Sequence, residues 1–197
     1  MRFPLADGVW WERIVDRPQR FGDRKANFHG AYSGLWWLLP TLKLEEQQEI
    51  WLVEGIFDAI ALHHHGIAAV SLMTCNNYPA QALSQLAALF VDKKRPLLVW
   101  ALDNDKAGMS YTRRWVKRSR DEGWSAAAAQ TPHSRSKLDW NDLHQRDRLN
   151  PELVKKYRYY GSLLIATSPA AKALLMHEQT ERKEFHFEFD SRLFWFK

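Results

Sequence analysis

The chain has 197 residues, 46% of them hydrophobic and 26% charged, with a formal net charge of +5. This length supports one compact domain with small appendages, and the hydrophobic content argues against disorder. The single cysteine, Cys75, excludes an internal disulfide and a cysteine-built zinc site, and it favours a reducing compartment. No apolar run reaches transmembrane length, and the first ten residues lack the apolar core of a signal peptide. We therefore expect a soluble, cytoplasmic protein that does not contact a membrane.

Residues 1–45 are predicted to form a small basic subdomain. They are rich in Trp, Arg and Gly, and they show short extended patches but no pattern of a long helix. Between residues 13 and 25, five basic residues outnumber two acidic ones. Trp10 and Trp11 are candidates for stacking on nucleic-acid bases. Trp36 and Trp37 lie in an apolar run and are predicted to be in the core.

Residues 46–148 alternate between predicted strands and helices. Continuous apolar runs at 50–53, 68–72 and 97–102 are typical of parallel strands that are covered on both faces. Residues 124–130 are a weaker fourth strand, because alanine is a poor strand former. Helical patterns lie at 57–66, at 79–92 with Pro79 in the first helical position, and at about 107–122. The alternation predicts an α/β domain with a central, mainly parallel sheet flanked by helices.

Residues 149–197 are predicted to be an extension made of helix and β-hairpin. The stretch 151–178 reads as helical, with Pro151 and Pro169 each near a helix start. The last residues alternate apolar and polar side chains, and Asp190-Ser191 is the predicted hairpin turn. Because the sequence stops within an apolar strand, we expect a fragment of a longer protein.

Acidic side chains follow three of the predicted strands. Glu54 comes directly after the first strand with Asp58 four residues on, and the carboxylates that follow the other strands are Asp103, Asp105, Asp139 and Asp142. Carboxyl ends of parallel strands meet at one edge of a sheet, so these groups are expected to approach one another. Like charges at such distances either both point into water or hold a cation between them, and carboxylate oxygens favour Mg²⁺ or Mn²⁺ over zinc.

Two basic zones flank this acidic centre. The segment from Lys106 to Arg120 carries six basic residues and no acid, and the other zone is the stretch from residue 13 to 25. This arrangement suits a polyanion that is brought to a metal, although two solvated surfaces are the simpler alternative.

Three motifs carry a resemblance to a known family. EGIFDAIAL (54–62), DNDKAG (103–108) and KLDWND (137–142) appear in this order, and together they resemble the Toprim domain shared by primases, topoisomerases and some nucleases. The form is similar to DnaG-type primases and to primases of phages and mobile elements. The match covers about residues 49 to 145. The chain departs from that pattern in three respects: Asn104 stands where glycine is common, LDWND (138–142) replaces a tighter acidic form, and no cysteine-rich zinc module is present.

The resemblance implies roles for individual residues. Glu54 would match the glutamate assigned to acid/base work or metal binding, and Asp103 and Asp105 the metal-holding pair, so these three are the predicted catalytic residues. Asp58 would be an auxiliary acid, and Asp139 with Asn141 or Asp142 the last acidic cluster. The predicted nucleic-acid or nucleotide contacts are Arg20, Arg24, Lys25, Lys106, Arg113, Arg114 and Lys137.

The implied activity is primase-type nucleotidyl transfer. The expected product is a short RNA primer made from nucleoside triphosphates on single-stranded DNA, during replication of bacterial, phage or mobile-element DNA. A replicative helicase is an expected partner, but no GxxxxGK[ST] sequence is present, so this chain itself contains no helicase ATPase. The alternatives are phosphodiester cleavage, as in Toprim nucleases and topoisomerases, and a binding module without catalysis.

Some other residues invite a functional interpretation from sequence alone. His63, His64 and His65 are consecutive on a predicted helix, so they point in different directions and are expected to be a solvated helix end. Cys75 is expected to be a buried, inert thiol. Trp51 and Trp100 are predicted core residues, and Trp140 is a third candidate for stacking on bases.

Overall fold

The computed structural model describes residues 1–14, 22, 26–91, 93–132 and 138–182. The chain divides into two compact units, Met1–Ile165 and Ala166–Lys197. The predicted C-terminal hairpin lies outside the described residues. Among the helices that are described, none is both long enough and apolar enough to cross a membrane.

The first unit begins with a small antiparallel sheet. Its strands are β1 (Arg2–Ala6), β2 (Val9–Arg13) and β3 (Ala26–His29), hydrogen-bonded in the order β1-β2-β3. Gly8 adopts φ +70° in the turn between the first two strands, a conformation that glycine takes without steric cost. The sequence predicted extended patches here but not their assembly into a sheet, because short strands with mixed burial carry little alternation.

A second sheet of five strands forms the centre of the unit. The strands are β4 (Trp37–Leu38), β5 (Glu49–Val53), β6 (Ala69–Ser71), β7 (Leu97–Trp100) and β8 (Ala126–Ala128). Their spatial order is β4-β6-β5-β7-β8, and only β4 runs antiparallel to its neighbour. The predicted α/β fold with a mainly parallel sheet is therefore confirmed, and all four predicted strands are present.

Helices cover both faces of this sheet. Their bounds are α1 (Ile56–His64), α2 (Ala80–Ala88), α3 (Lys106–Asp121), α4 (Trp140–Gln145) and α5 (Pro151–Ile165), and a 3₁₀ turn spans Leu44–Glu46. Pro79 is the N-cap of α2 and not its first helical residue. In the second unit, α6 spans Pro169–Arg182, and the Ser168 side chain accepts a hydrogen bond from the amide of Ala171 in its first turn.

The continuous apolar runs are explained by burial on both faces. Along β5, Ile50 and Leu52 belong to the core beneath α2 and α3, whereas Trp51 and Val53 belong to the core on the face of α1 and α4. All four side chains are at most 1% exposed. A strand buried in this way has no polar side to alternate with, as parallel strands between helices require.

The structure confirms the predicted core position of four tryptophans and contradicts the stacking role predicted for another. Trp36, Trp37, Trp51 and Trp100 are core residues, as predicted. The prediction that Trp140 stacks on bases is wrong, because its side chain is fully buried and its indole N–H donates to the carbonyl of Ala101 at 2.7 Å. Trp140 is the first residue of a helix that packs on α1 and the sheet, which the flanking polar residues concealed.

The strand order creates a crevice at one edge of the sheet. From β5 the chain crosses through α1 to β6 on one side, and the later β7 lies on the opposite side of β5. In open α/β sheets, such a reversal leaves a cleft outside the carboxyl ends of the two central strands, and ligands bind there. Glu54, directly after β5, and Asp103, which follows Ala101 and Leu102 after β7, are thus placed at this point.

A glycine in α5 tests how closely that helix approaches the sheet. A Cβ on Gly161 would overlap the backbone carbonyl of Ala128 in β8, which cannot move without breaking strand pairing. We expect Gly161→Ala to lower the free energy of unfolding by about 1–3 kcal/mol, even though alanine is the better helix former. Urea denaturation measures this. Ser162→Ala in the same helix is the control, with an expected change within about 0.5 kcal/mol, and equal stability of the two variants would contradict the close packing.

Candidate active site

Glu54 follows the last residue of β5 and begins the acidic edge. Its backbone carbonyl accepts a hydrogen bond from the Ser71 hydroxyl at 2.8 Å, which fixes it to the end of the neighbouring strand β6. Gly55 is the N-cap of α1, and a Cβ there would lie 2.6 Å from a carboxylate oxygen of Asp58. The Glu-Gly pair therefore lets the chain turn from strand to helix while the glutamate stays at the sheet edge.

Asp58 joins the first turns of two helices. Its carboxylate accepts hydrogen bonds from the amide of Gly55 at 3.1 Å and from the amide of Asn141 at 3.0 Å. The side chain is only 5% exposed. These bonds satisfy helix N-termini that would otherwise lack partners, so Asp58 has a structural role between α1 and α4. Its predicted share in metal binding stays a prediction.

The aspartate pair follows β7, beside the exit from β5. Asp105 is the N-cap of α3, and its carboxylate accepts from the amide of Gly108 at 2.8 Å. A Cβ on Gly108 would overlap the carbonyl oxygen of Asp103, so this position admits only glycine without a shift of the loop. The spacing Asp-x-Asp-x-x-Gly therefore packs the loop tightly against the first turn of α3.

Asn104, between the two aspartates, fastens the loop to the neighbouring strand end. Its amide nitrogen donates to the carbonyl of Thr131 at 2.7 Å. Its amide oxygen is buried and accepts no hydrogen bond from the described residues. In the sequence, Asn104 was notable only because glycine is common at its position. Its hydrogen bond to Thr131, 27 positions away, could not be predicted from residue spacing.

Asp139 and Asp142 lie in a capping box at the start of α4. The Asp139 carboxylate accepts from the amide of Asp142 at 2.7 Å, and the Asp142 carboxylate accepts from the amide of Asp139 at 3.3 Å. Both carboxylates thus stabilise the helix end.

The negative charges act on one another across the crevice. Burial, followed by the charges of Asp139 and Asp103, raises the pKa of Asp58 to about 7, against the hydrogen bonds from Asn141 and Gly55. Cys75 is partly buried, and burial together with Glu54, Asp105 and Asp103 raises the pKa of its thiol. Carboxylates from three strand ends therefore contribute to one region of negative potential.

This donor set has the chemistry of a site for a hard cation. Carboxylate oxygens predominate, and the buried amide oxygen of Asn104 is a further acceptor without a donor among the described residues. Oxygen ligands of this kind suit Mg²⁺ or Mn²⁺. In the part of the chain that is described, no three His, Cys, Asp or Glu side chains are gathered in a geometry that holds an ion.

The basic residues of α3 are on its exposed side. Arg113 donates to the carbonyl of Leu164 at 3.0 Å, and the guanidinium of Arg114 lies over the ring of Trp115 at 5.0 Å from its centroid. Lys106, the first residue of the helix, is exposed next to Asp105. The other predicted nucleic-acid contacts, which are Arg20, Arg24, Lys25 and Lys137, lie outside the described residues.

The two remaining candidates for stacking on bases, Trp10 and Trp11, differ in the rings that they contact. Trp10 is partly buried and stacks on His29, with ring centroids 3.9 Å apart. Trp11 contacts Phe3 and Phe57 and belongs to the packing between the N-terminal sheet and α1.

A sequence model of the Toprim-like family matches residues 51–144. No curated protein matches the chain. The matched segment includes Glu54, Asp58, Asp103, Asp105, Asp139 and Asp142, and it begins in β5 and ends in α4.

Solved structures give the same fold. The RNA polymerase domain of primase DnaG from Mycobacterium tuberculosis matches with a TM-score of 0.59 and 15% identity, over 91% of this chain and 69% of that one. The same domain in complex with double-stranded DNA matches with a TM-score of 0.54 and 16% identity, over 88% of this chain and 65% of that one. These identities establish the fold alone. Residues 51–144 of this chain therefore form a Toprim-like domain, as their motifs predicted.

Proposed function

We propose that this chain is a metal-dependent nucleotidyltransferase of the primase type, which acts in the cytoplasm. It would join nucleoside triphosphates into short RNA primers on single-stranded DNA. The observation that carries the proposal is the position of three carboxylates at the point where the strand order reverses. Glu54 follows β5, and Asp103 and Asp105 follow the adjacent parallel strand β7. Similarity in fold to the polymerase domain of DnaG supports the same reaction class.

Glu54, Asp103 and Asp105 would hold Mg²⁺ or Mn²⁺ in this proposal. When bound, such ions lower the pKa of an attacking hydroxyl and neutralise charge on the triphosphate. The chain's own contribution is to fix the ligands: the α3 cap orients Asp105, the Asn104 bond to Thr131 restrains the loop between the aspartates, and Ser71 anchors the backbone of Glu54.

Positive groups beside the acids would bind the polyanionic substrates. Lys106 follows Asp105 directly and is exposed, so its ammonium group can reach a triphosphate near the aspartates. Arg113 and Arg114 lie further along the exposed side of α3, and with Arg20, Arg24, Lys25 and Lys137 they would contact the template strand.

An assay of synthesis against cleavage tests the proposed function. The full chain, labelled nucleoside triphosphates, single-stranded DNA and Mn²⁺ should yield dinucleotides and short RNA, while an end-labelled DNA strand stays intact. Glu54→Gln should lower the rate by about a hundredfold or more, the scale of a lost catalytic group, and should require more Mn²⁺ for the remaining rate. Asp121→Asn, on the exposed side of α3, is the control and should leave the rate unchanged.

The outcomes separate the functions. Metal-dependent strand cleavage without synthesis would indicate that the chain is a nuclease and not a primase. DNA binding without either reaction would indicate a binding module. Normal metal dependence in Glu54→Gln, with a rate that recovers as the pH rises, would assign Glu54 to general-base work and contradict its role as a ligand.

Metal binding is predicted independently of activity. Asp103→Asn with Asp105→Asn should weaken Mn²⁺ binding by more than about tenfold, or roughly 1.4 kcal/mol, because two anionic ligands are lost. Asparagine retains an oxygen for the Gly108 amide, so the fold should persist. Electron paramagnetic resonance measures the free Mn²⁺ during a titration. Asp121→Asn, which removes one carboxylate charge at the last residue of α3, is the control. An unchanged Mn²⁺ affinity in the double variant would refute the site.

Cys75 provides a reporter for the same ion. Its pKa is raised by burial and by Glu54, Asp105 and Asp103, so a cation at these carboxylates should lower the pKa and increase the thiolate fraction. Alkylation by iodoacetamide at pH 8 should accelerate on addition of Mn²⁺. The Asp103/Asp105 double variant should react faster without metal and respond little to it. Equal rates with and without Mn²⁺ in the unaltered chain would contradict this prediction.

A further inference from the structure

Three histidines from two helices form a cluster away from the acidic crevice. His64 and His65 lie at the end of α1, and His144 lies in the last turn of α4. Their ring centroids are 5.0 Å apart for His64 and His144 and 5.2 Å apart for His65 and His144. His64 and His65 are exposed, as predicted for a solvated helix end, but the approach of His144 was not predicted.

Two nitrogen atoms in this cluster face each other. Nε2 of His65 and Nδ1 of His144 are 3.0 Å apart, a hydrogen-bond distance that requires one N–H and one lone pair. Although His65 is exposed, partial desolvation of its ring, followed by the charges of His144 and His64, lowers its pKa against the opposing effect of Asp147. The imidazole of His65 is thus favoured in its neutral form, which is the form that binds metals.

We propose that His65 and His144 bind one late first-row divalent ion of the class of Zn²⁺, Ni²⁺ and Cu²⁺. Two nitrogens on a tetrahedral zinc ion are about 3.3 Å apart, given zinc–nitrogen bonds of about 2.0–2.1 Å. The observed 3.0 Å needs only a small opening with ring rotation. The shared proton moves to the other nitrogen of its own ring, so both facing nitrogens present lone pairs and no net proton is released.

Water can occupy the coordination positions that His65 and His144 do not fill. A third imidazole, that of the exposed His64, lies nearby with its ring centroid 5.0 Å from that of His144, but it is not in a ligand position in the described structure. Imidazole ligands select this class of metal over Mg²⁺, which prefers oxygen. The end of α1 also favours a cation, because the helix macrodipole places partial negative charge at a helix C-terminus.

An ion here would connect α1 to α4 at their last turns. Their first turns are already connected by Asp58, which accepts from the Asn141 amide. A ligand that binds only the folded chain stabilises it in proportion to its affinity and concentration. The ion should therefore stabilise the packing of the two helices that begin at the acidic crevice.

Zinc titration of the full chain tests the site. We expect calorimetry to detect Zn²⁺ binding, and we expect Zn²⁺ to raise the thermal unfolding midpoint. His144→Ala and, separately, the exposed His65→Gln should weaken this binding by at least about tenfold, since even changes around metal ligands act on that scale. His63→Ala is the matched control, because its side chain has the same chemistry one residue outside the cluster, and it should bind Zn²⁺ as the unaltered chain does.

Cu²⁺ gives a second readout that does not depend on stability. Its electron paramagnetic resonance spectrum should show superhyperfine coupling to at least two imidazole nitrogens, which is lost in either variant and retained in the Asp103/Asp105 double variant. Retention in the double variant separates this site from the proposed catalytic one. Equal Zn²⁺ affinity in His65→Gln, His144→Ala and His63→Ala, or the same Cu²⁺ spectrum in all three, would overturn the proposal.

Discussion

The parallel pairing of β5 with β7 is the constraint on which the candidate site depends. Leu52 is opposite Trp100, and the amide of Ala101 donates to the carbonyl of Leu52 at 2.9 Å, so the two strands end side by side. Because the chain leaves them in opposite directions, a crevice forms outside their carboxyl ends. Glu54 and the Asp103/Asp105 pair occupy that space because of the pairing. Like charges brought together in this way raise each other's energy, and a cation bound between them would offset this repulsion.

Backbone hydrogen bonds hold the acidic edge in place. Asp58, Asp105 and Asp139 each accept from the amide of a helix first turn, and Asp58 accepts also from the N-cap of its own helix, so three helix starts converge where the carboxylates lie. These bonds stabilise the carboxylates while no ion is bound, because a helix N-terminus favours negative charge. The same residues thus serve both local structure and the proposed chemistry. A substitution at any of them will change stability together with activity, which is why asparagine, a good cap, is preferred to alanine for testing function.

Much of the fold could be predicted because fully buried strands leave a strong record in the sequence. The apolar runs of β5, β6 and β7 predicted the sheet, and the carboxylates that follow the runs of β5 and β7 placed Glu54 and Asp103 at its edge. The N-terminal sheet was missed, since its strands are half-buried and short. Contacts between distant positions were missed for a different reason. The approach of His144 to His65 joins residues 79 positions apart, and no spacing rule within one helix reports it. Trp140 was misjudged because its neighbours are polar while its own ring is buried.

The most direct test of the central claim is anomalous X-ray diffraction from crystals of the full chain soaked in Mn²⁺. The account predicts a manganese peak in the crevice between the ends of β5 and β7, with carboxylate oxygens of Glu54, Asp103 or Asp105 at bonding distance. Hard oxygen ligands bind such an ion directly. Manganese peaks elsewhere on the molecule, with none in this crevice at saturating Mn²⁺, would contradict the account.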